Sequence, residues 1–355
     1  MEETTRNLGL DPGFGGFKAA LVDTAGTRIA SVPSVVGVGE TDLGLLSLGS
    51  MGRRSRRAQP DEVTSQGVTY LVGEGVARYA RPVERMDFLR LSDGPELRAL
   101  FYDVVFRLLG DGRHHLNVMA GLPVEVMADR QQAQSTLRAL RRWMIGTHTY
   151  QVISAGSGSG CEVELAVDDV QVMAQPAGAV FAWGLNDRGR WTRARPDLKA
   201  PIAVCDIGYN TLDLFTVQGG EVIGRFTGGD TAGMRRSAEL ILTAVRSSHG
   251  LALSLHEADA LLRARRPTLY TAEGEVDLSQ LVQQAMDATA AAVVSYVERR
   301  WGNGRQFPHL LFTGGGAEAL RKVLLEQYPH GVVLPEPVTA NALGLARYAM
   351  RAFRS

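Results

Sequence analysis

The order of apolar and polar positions along the chain predicts alternating strands and helices. A short apolar stretch at 8–10 runs into a glycine-rich turn at 11–16, a second strand at 17–22 and another turn at 23–26, which together read as a β-meander. Between 96 and 109 the residues Leu97, Leu100, Phe101, Val104, Val105 and Leu108 recur at the three- and four-residue spacing of an amphipathic helix. The run 116–122 predicts a buried strand, 130–143 a helix, 150–154 and 162–172 two strands joined by a Gly/Ser turn at 156–160, and 176–184 a further helix. The second half opens as the first does, with a strand at 202–206, a glycine turn, a strand at 212–217, a polar turn at 218–221 and a strand at 222–226. Helices follow at 232–246, 256–263 and 278–300, then a strand at 310–313 and a terminal helix at 340–352. The stretch 33–95 is rich in Gly, Arg and Ser with weak periodicity, and predicts an inserted, variable lobe rather than core. The class is α/β, with helices packed on mixed sheets. The repeated meander predicts two similar halves that face each other across a cleft.

Composition narrows the classes. A chain of 355 residues has room for two domains, and 45% hydrophobic with 21% charged residues is ordinary for a globular protein. No apolar run is long enough to span a membrane, no amphipathic terminal anchor is evident, and the polar segment 1–7 is no secretion signal, so the expected location is the cytoplasm. Lys plus Arg and Asp plus Glu each number 38, so global charge advertises no direct nucleic-acid binding. The run Arg53, Arg54, Arg56 and Arg57 reads as a solvated loop. Cys161 and Cys205 lack a CxxC partner, which argues against zinc and disulfide, and both read as buried thiols in strands. His114 and His115 follow an Asp-Gly turn and predict a solvent-facing loop. Leu281, Met286, Ala290, Val293, Val294 and Val297 form a helix-core stripe, and Trp301 packs at that helix's end.

Two constellations carry chemistry. In the first, Asp11, Pro12, Gly13, Phe14, Gly15, Gly16, Phe17 and Lys18 form a hairpin whose glycines let backbone N–H groups converge on a phosphate. Asp11 is suited to hold a water of magnesium, and Lys18 to neutralise a phosphate oxygen. The spacing fits neither the Walker A loop nor the dinucleotide pattern GxGxxG. In the second, Asp206, Ile207, Gly208, Tyr209, Asn210, Thr211, Leu212 and Asp213 repeat the plan of a leading aspartate and a donor-rich turn. Two acids, a lysine and backbone donors suffice for phosphoryl transfer to water, which needs chiefly positioning and charge neutralisation.

With these motifs the chain resembles the actin, Hsp70 and sugar-kinase superfamily, and within it the plasmid-segregation actin ParM and the archaeal and bacterial actin-like proteins. The two hairpins resemble the family's phosphate motifs, and 311–317, with Gly314, Gly315 and Gly316, its adenosine motif. Residues 175–179 resemble the first segment connecting the domains, 340–344 the second, and 121–123 a strand-end motif of the ParM-like branch. The resemblance implies an actin-like (ribonuclease H-like) two-domain fold with a nucleotide cleft between duplicated mixed β-sheet domains. Domain I would cover 1–175, with the inserted lobe at about 33–95 and completion by 340–355, and domain II 176–339. It also implies Mg2+ and ATP, with GTP left open. Asp11 and Asp206 would hold the metal through water. Lys18 would contact phosphate, Gly228 and Gly229 would lie near ribose and phosphates, Gln175 would align the attacking water, and Asp206 would accept its proton. Phe14 stands where actin and ParM have a serine, a position at which some actin-like relatives carry an aromatic. The expected function is a filament-forming ATPase, self-associating head to tail, in plasmid or DNA segregation with a DNA-bound adaptor, or in a cytoskeleton. A small-molecule kinase and a chaperone-like ATPase regulator are the alternatives.

Overall fold

The computed structural model describes residues 5–41, 59–83, 91–155, 159–231 and 233–353. The chain divides into two compact units, one of 1–122, 129–192 and 341–355, the other of 123–128 and 193–340. The arginine run Arg53 to Arg57, residues 156–158 of the predicted Gly/Ser turn, and Ala232 lie outside the described residues.

Unit 1 is built on a sheet of β1 (Arg6–Pro12), β2 (Gly16–Asp23), β3 (Gly26–Pro33), β4 (Val36–Val38), β5 (Asp61–Ser65), β6 (Val68–Val72), β7 (Gly112–Leu122), β8 (Gly146–Ile153) and β9 (Cys161–Ala174). The strands lie in the order β3-β2-β1-β7-β9-β8-β5-β6-β4. β1 is antiparallel to β2 and parallel to β7. At this centre Leu8, Leu10, Val118 and Ala120 are buried on one face and Gly9 and Met119 on the other, as expected of strands covered on both faces. The helices are α1 (Pro95–Leu109), α2 (Val124–Ala128, part of unit 2), α3 (Arg130–Met144) and α4 (Gln175–Gly184). α1 buries the six apolar residues that predicted it. α3 starts at Asp129, whose carboxylate caps the N–H groups of Gln131 and Gln132.

Unit 2 adds α5 (Arg195–Lys199), β10 (Ile202–Ile207), β11 (Leu212–Gln218), β12 (Glu221–Val222), β13 (Gly228–Asp230), α6 (Arg235–His249), α7 (Leu255–Arg263), β14 (Thr268–Thr271), β15 (Gly274–Asp277), α8 (Ser279–Trp301), β16 (His309–Thr313), α9 (Gly315–Ala319), α10 (Arg321–Gln327) and β17 (Val332–Val333). Its main sheet runs β12-β11-β10-β16-β17, with β13 also paired to β11. β10 is antiparallel to β11 and parallel to β16, so it repeats the relations of β1 to β2 and β7. Ala290, Val293 and Val297 of the α8 stripe, with Trp301, join this core, whereas Val294 is half-buried. α11 (Ala340–Ala352) returns the chain to unit 1, where Ala342 and Ala346 pack on Ala20 and Val22.

Several sequence expectations are corrected. The described parts of 33–95 are not outside the core: β5 pairs with β8, and Val36, Val63, Leu71 and Val72 are buried. Their strands are short, so local periodicity could not declare them. His114 and His115 lie in β7, not in a loop, and His114 is buried with Nε2 at 3.1 Å from the Asp111 carbonyl. Pairing with β9, which begins at Gly112 opposite Val163, extends the strand past its apolar run. Cys205 is buried but Cys161, at the start of β9, is only half-buried. The strand foreseen at 222–226 ends at Val222, and a 3-10 turn leads into β13.

One buried carboxyl in unit 1 makes stability depend on pH. Asp103 is 0% exposed and receives Arg107 Nε at 2.9 Å, while Arg107 Nη2 reaches Asp61 at 2.6 Å. Burial pushes the Asp103 carboxyl up to about 8, against the pull of Arg107 and with the help of Asp61. The unfolded chain therefore releases this proton near pH 4 and the folded chain near 8, so the group's contribution to stability falls as pH rises between those values. Asp103→Asn keeps an acceptor for Arg107 and has no proton to lose. Thermal melts from pH 5 to 8 are expected to show a decline in the wild type, of order ~1 kcal/mol per pH unit, that is largely absent in the variant. Parallel slopes would contradict this.

Candidate functional site

In unit 1 the β1–β2 hairpin sets Asp11 directly across from Lys18. Asp11 is 1% exposed, and its Oδ2 meets Lys18 Nζ at 3.3 Å. Gln175, the first residue of α4, donates through Nε2 to Asp11 Oδ1 at 2.7 Å. The fold thus brings together three residues that the sequence separates by as many as 164 positions. Burial raises the Asp11 carboxyl's pKa, and the Lys18 charge opposes that rise. Between them the turn keeps its backbone bare: a Cβ on Gly13 would stand 2.7 Å from the Gly16 carbonyl and 3.0 Å from Lys18 Nζ. Gly13, Gly15 and Gly16 are half-exposed, whereas Phe14 is buried at 5% exposure. Ser34 steadies the loop, donating from Oγ to the Gly13 carbonyl at 2.6 Å. Nothing in the local sequence marks Ser34, because it follows the next strand.

In unit 2 the β10–β11 hairpin pairs Asp206 with Asp213. Asp11 and Lys18 are seven residues apart, as are Asp206 and Asp213, and each couple is a cross-strand pair at a hairpin mouth. The Gly208 N–H closes the turn on the Thr211 carbonyl at 2.9 Å. The Gly208 and Tyr209 carbonyls accept from Met234 and Arg235, tying the turn to the start of α6. Arg235 also donates to the Asn210 side chain at 3.2 Å, and the Tyr209 hydroxyl reaches the Leu255 carbonyl at 3.5 Å. These two side chains are therefore held by protein.

The remaining glycines line the same strand ends. Gly229 sits opposite Asp213, and a Cβ there would meet Asp213 Oδ1 at 2.8 Å; one on Gly228 would meet the Arg300 guanidinium at 2.9 Å. Gly314 follows β16 with φ +89°, and a side chain on it would collide with the Ile207 carbonyl at 2.4 Å and Asp206 Oδ1 at 2.6 Å. A Cβ on Gly316 would strike Ile207 Cγ2 at 2.3 Å, while Gly315 faces open space. Asp206, 208–211, Gly228, Gly229 and 314–316 thus gather around the ends of β10, β11 and β16. Asp213 has no role in the sequence reading, yet it is fully buried and accepts the Val124 N–H at 3.1 Å. Burial, then the Asp206 charge, pushes its carboxyl up to about 8. The equal spacing of the two hairpin couples was the signal that could have found it.

Comparison with known proteins agrees with this plan. A family model described as the N-terminal domain of actin-like proteins matches 9–178, and one described as the C-terminal part of the archaeal actin homologue MreB-like matches 204–326. No curated protein matches the sequence. Among solved structures, a non-polymerisable quadruple mutant of pCBH ParM is similar at TM-score 0.74 and 16% identity, covering 98% of this chain and 100% of that one. A 15-stranded ParM filament from Clostridium botulinum gives 0.73 and 16%, covering 98% and 99%. The archaeal actin homologue Ta0583 in complex with ADP gives 0.70 and 15%, covering 98% and 100%. Among the described residues no helix is long and apolar enough to cross a membrane. With one actin-like model on each half and the same strand plan in both units, the chain belongs to the actin-like proteins.

Proposed function

We propose that the chain is a nucleotide-driven filament former, an ATPase whose polymer serves plasmid or DNA segregation, or a cytoskeleton, in the cytoplasm. The observation that carries this reading is the buried Asp11 carboxylate held between Lys18 and Gln175 at the mouth of a bare glycine hairpin. A buried carboxylate normally serves structure by closing a network. Here it stands beside half-exposed glycine backbone over which Lys18 lies, an arrangement suited to a phosphate and its counter-ion.

In unit 1 the turn at 13–16, whose Gly13 N–H serves the Asp11 carbonyl at 3.0 Å, would offer its amides at 14–16 and the Lys18 ammonium to phosphate oxygens, with Lys18 turning from Asp11 to the ligand. In unit 2 the amides of 209–211 and the backbone of Gly228 and Gly229 would do the same work, the Gly208 N–H keeping its bond to the Thr211 carbonyl, and the strip 314–316 would lie against the base and ribose. Magnesium supplies charge neutralisation on the phosphates when bound. The donors fit an ion that keeps its water: both oxygens of Asp11 already have protein partners, and among the described residues no cluster of three acids, histidines or cysteines could hold a metal directly. Asp11 and Asp206 would each take such a water. In unit 1 Gln175 would align the attacking water, and in unit 2 Asp206 would serve as a proton acceptor.

The ADP complex of Ta0583 and the filament of the Clostridium botulinum ParM support nucleotide and polymer as the family's pattern. Purified protein with ATP or GTP and magnesium is expected to scatter light and to pellet above a critical concentration. Neither signal across a wide concentration range would overturn the reading. A DNA-bound adaptor would be the partner that couples such a polymer to cargo.

A further inference from the structure

Two exposed surfaces remain outside this chemistry. One is the β14–β15 hairpin of unit 2, a two-stranded sheet of its own. Its Leu269 and Val276 pair across the strands and pack on the small core of α6, α7 and α8. The alternation of a strand then turns Tyr270 and its partner Glu275 outward, and Tyr270 is 76% exposed, the highest value among the described large hydrophobics. Glu273, in the turn, is exposed beside them. Asp277 caps the Ser279 N–H, and the exposed Arg265 and Arg266 lie at the hairpin's base, so the acid is concentrated at its tip.

The other surface is the turn after α4. Leu185 and Trp191 form a β-bridge around it. Asn186 Oδ1 accepts the Arg188 and Arg190 N–H groups, each at 3.0 Å, and Arg351 fixes the Gly189 carbonyl at 3.0 Å. Its one acid, Asp187, is neutralised by Arg347 at 2.8 Å. The turn is therefore a rigid stage for exposed Arg188 and Arg190, with Trp191 37% exposed and Arg193 and Arg195 next in sequence, both exposed.

We propose that the acidic, tyrosine-bearing hairpin tip of one copy docks on the arginine-tryptophan turn of the next copy. The proposal rests on the filament reading and names the surfaces of its contact. The chain's net charge is zero, so attraction between copies requires segregated charge, and these patches supply it with opposite sign. Tyr, Trp and Arg are the residues that dominate interface energies, and Arg can pair with Glu while stacking on Tyr. The two patches differ, so the contact is heterologous and leaves each copy one unused patch for the next, unlike the self-complementary contact of a symmetric dimer.

The test uses full-length chain with ATP and magnesium, followed by pelleting. E273R/E275R and R188E/R190E are each expected to raise the critical concentration at least about tenfold, since like charges then meet at the contact. An equimolar mixture of the two variants, and the single chain carrying all four changes, are expected to assemble near the wild-type concentration. Wild-type assembly with unaffected variants, or with losses that neither mixture nor combined variant restores, would overturn the docking proposal alone. Wild type that never assembles would overturn the filament reading as well. The combined variant's recovery also excludes misfolding as the cause of either loss.

Discussion

Gly344→Ala is expected to destabilise unit 1 by about 3 kcal/mol or more, seen as a fall of roughly 10 °C in its unfolding midpoint. In unit 1, α11 crosses α4 with no side chain between the backbones. A Cβ on Gly344 would lie 1.7 Å from the Gly178 carbonyl oxygen and 2.6 Å from the Ala182 nitrogen. Those are helix backbone atoms and cannot swing aside as a side-chain end would, so the helices must part. Parting is opposed from the other side, because α11 is equally close to β1: a Cβ on Gly9 would meet the Ala342 carbonyl and the Ala346 nitrogen at 2.2 Å. The shift would loosen Leu345 and Ala349 from Met119, and the stacked pair Phe181 and Tyr348, whose ring centres are 4.3 Å apart. Alanine's better helix propensity returns only about 1 kcal/mol. Gly224→Ala, where a Cβ meets nothing within 4 Å, is the control and should melt close to wild type. A Gly344→Ala midpoint within 2 °C of the control, on the ~2–4 °C per kcal/mol scale for a unit of this size, would refute the tight crossing.

That crossing also shows what the sequence could not declare. The hairpin couples were legible because their chemistry is local: a leading acid, a glycine turn and a strand on either side. The helices at 95–109 and 130–144 were legible because one apolar stripe meets one sheet. Gly9, Gly178 and Gly344 give no such signal, since each is required by a neighbour far along the chain. The same holds for β5, which is a strand because β8 lies beside it, and for His114, drawn into β7 by its pairing with β9. The hairpin at 268–277 was missed because its short strands show two apolar residues inward and a tyrosine outward, too little for a period. Within the candidate site, Asp11, Lys18 and Gln175 were each named from the sequence, but their union on one carboxylate belongs to the fold.

Asp206→Ala and Gln175→Ala are each expected to slow phosphate release about a hundredfold, the scale on which a positioned proton acceptor or polar group acts, while nucleotide affinity changes less than about threefold. Affinity is expected to persist because the proposed phosphate contacts are chiefly backbone amides of the two hairpins, which both substitutions leave in place. The Asp206 hairpin is closed by the Gly208 to Thr211 hydrogen bond and tied to α6 through main-chain atoms, so removing one carboxylate does not open it. Gln175→Ala deletes the donor at 2.7 Å from Asp11 Oδ1 and leaves the glycine turn held by the Ser34 hydroxyl on the Gly13 carbonyl. Titration of a fluorescent nucleotide separates binding from turnover, and single-turnover phosphate release measures the second. A rate unchanged in Asp206→Ala would remove Asp206 from the chemistry. An affinity that falls with the rate would make the residue a binding group, because only an interaction made in the transition state lowers turnover while sparing affinity.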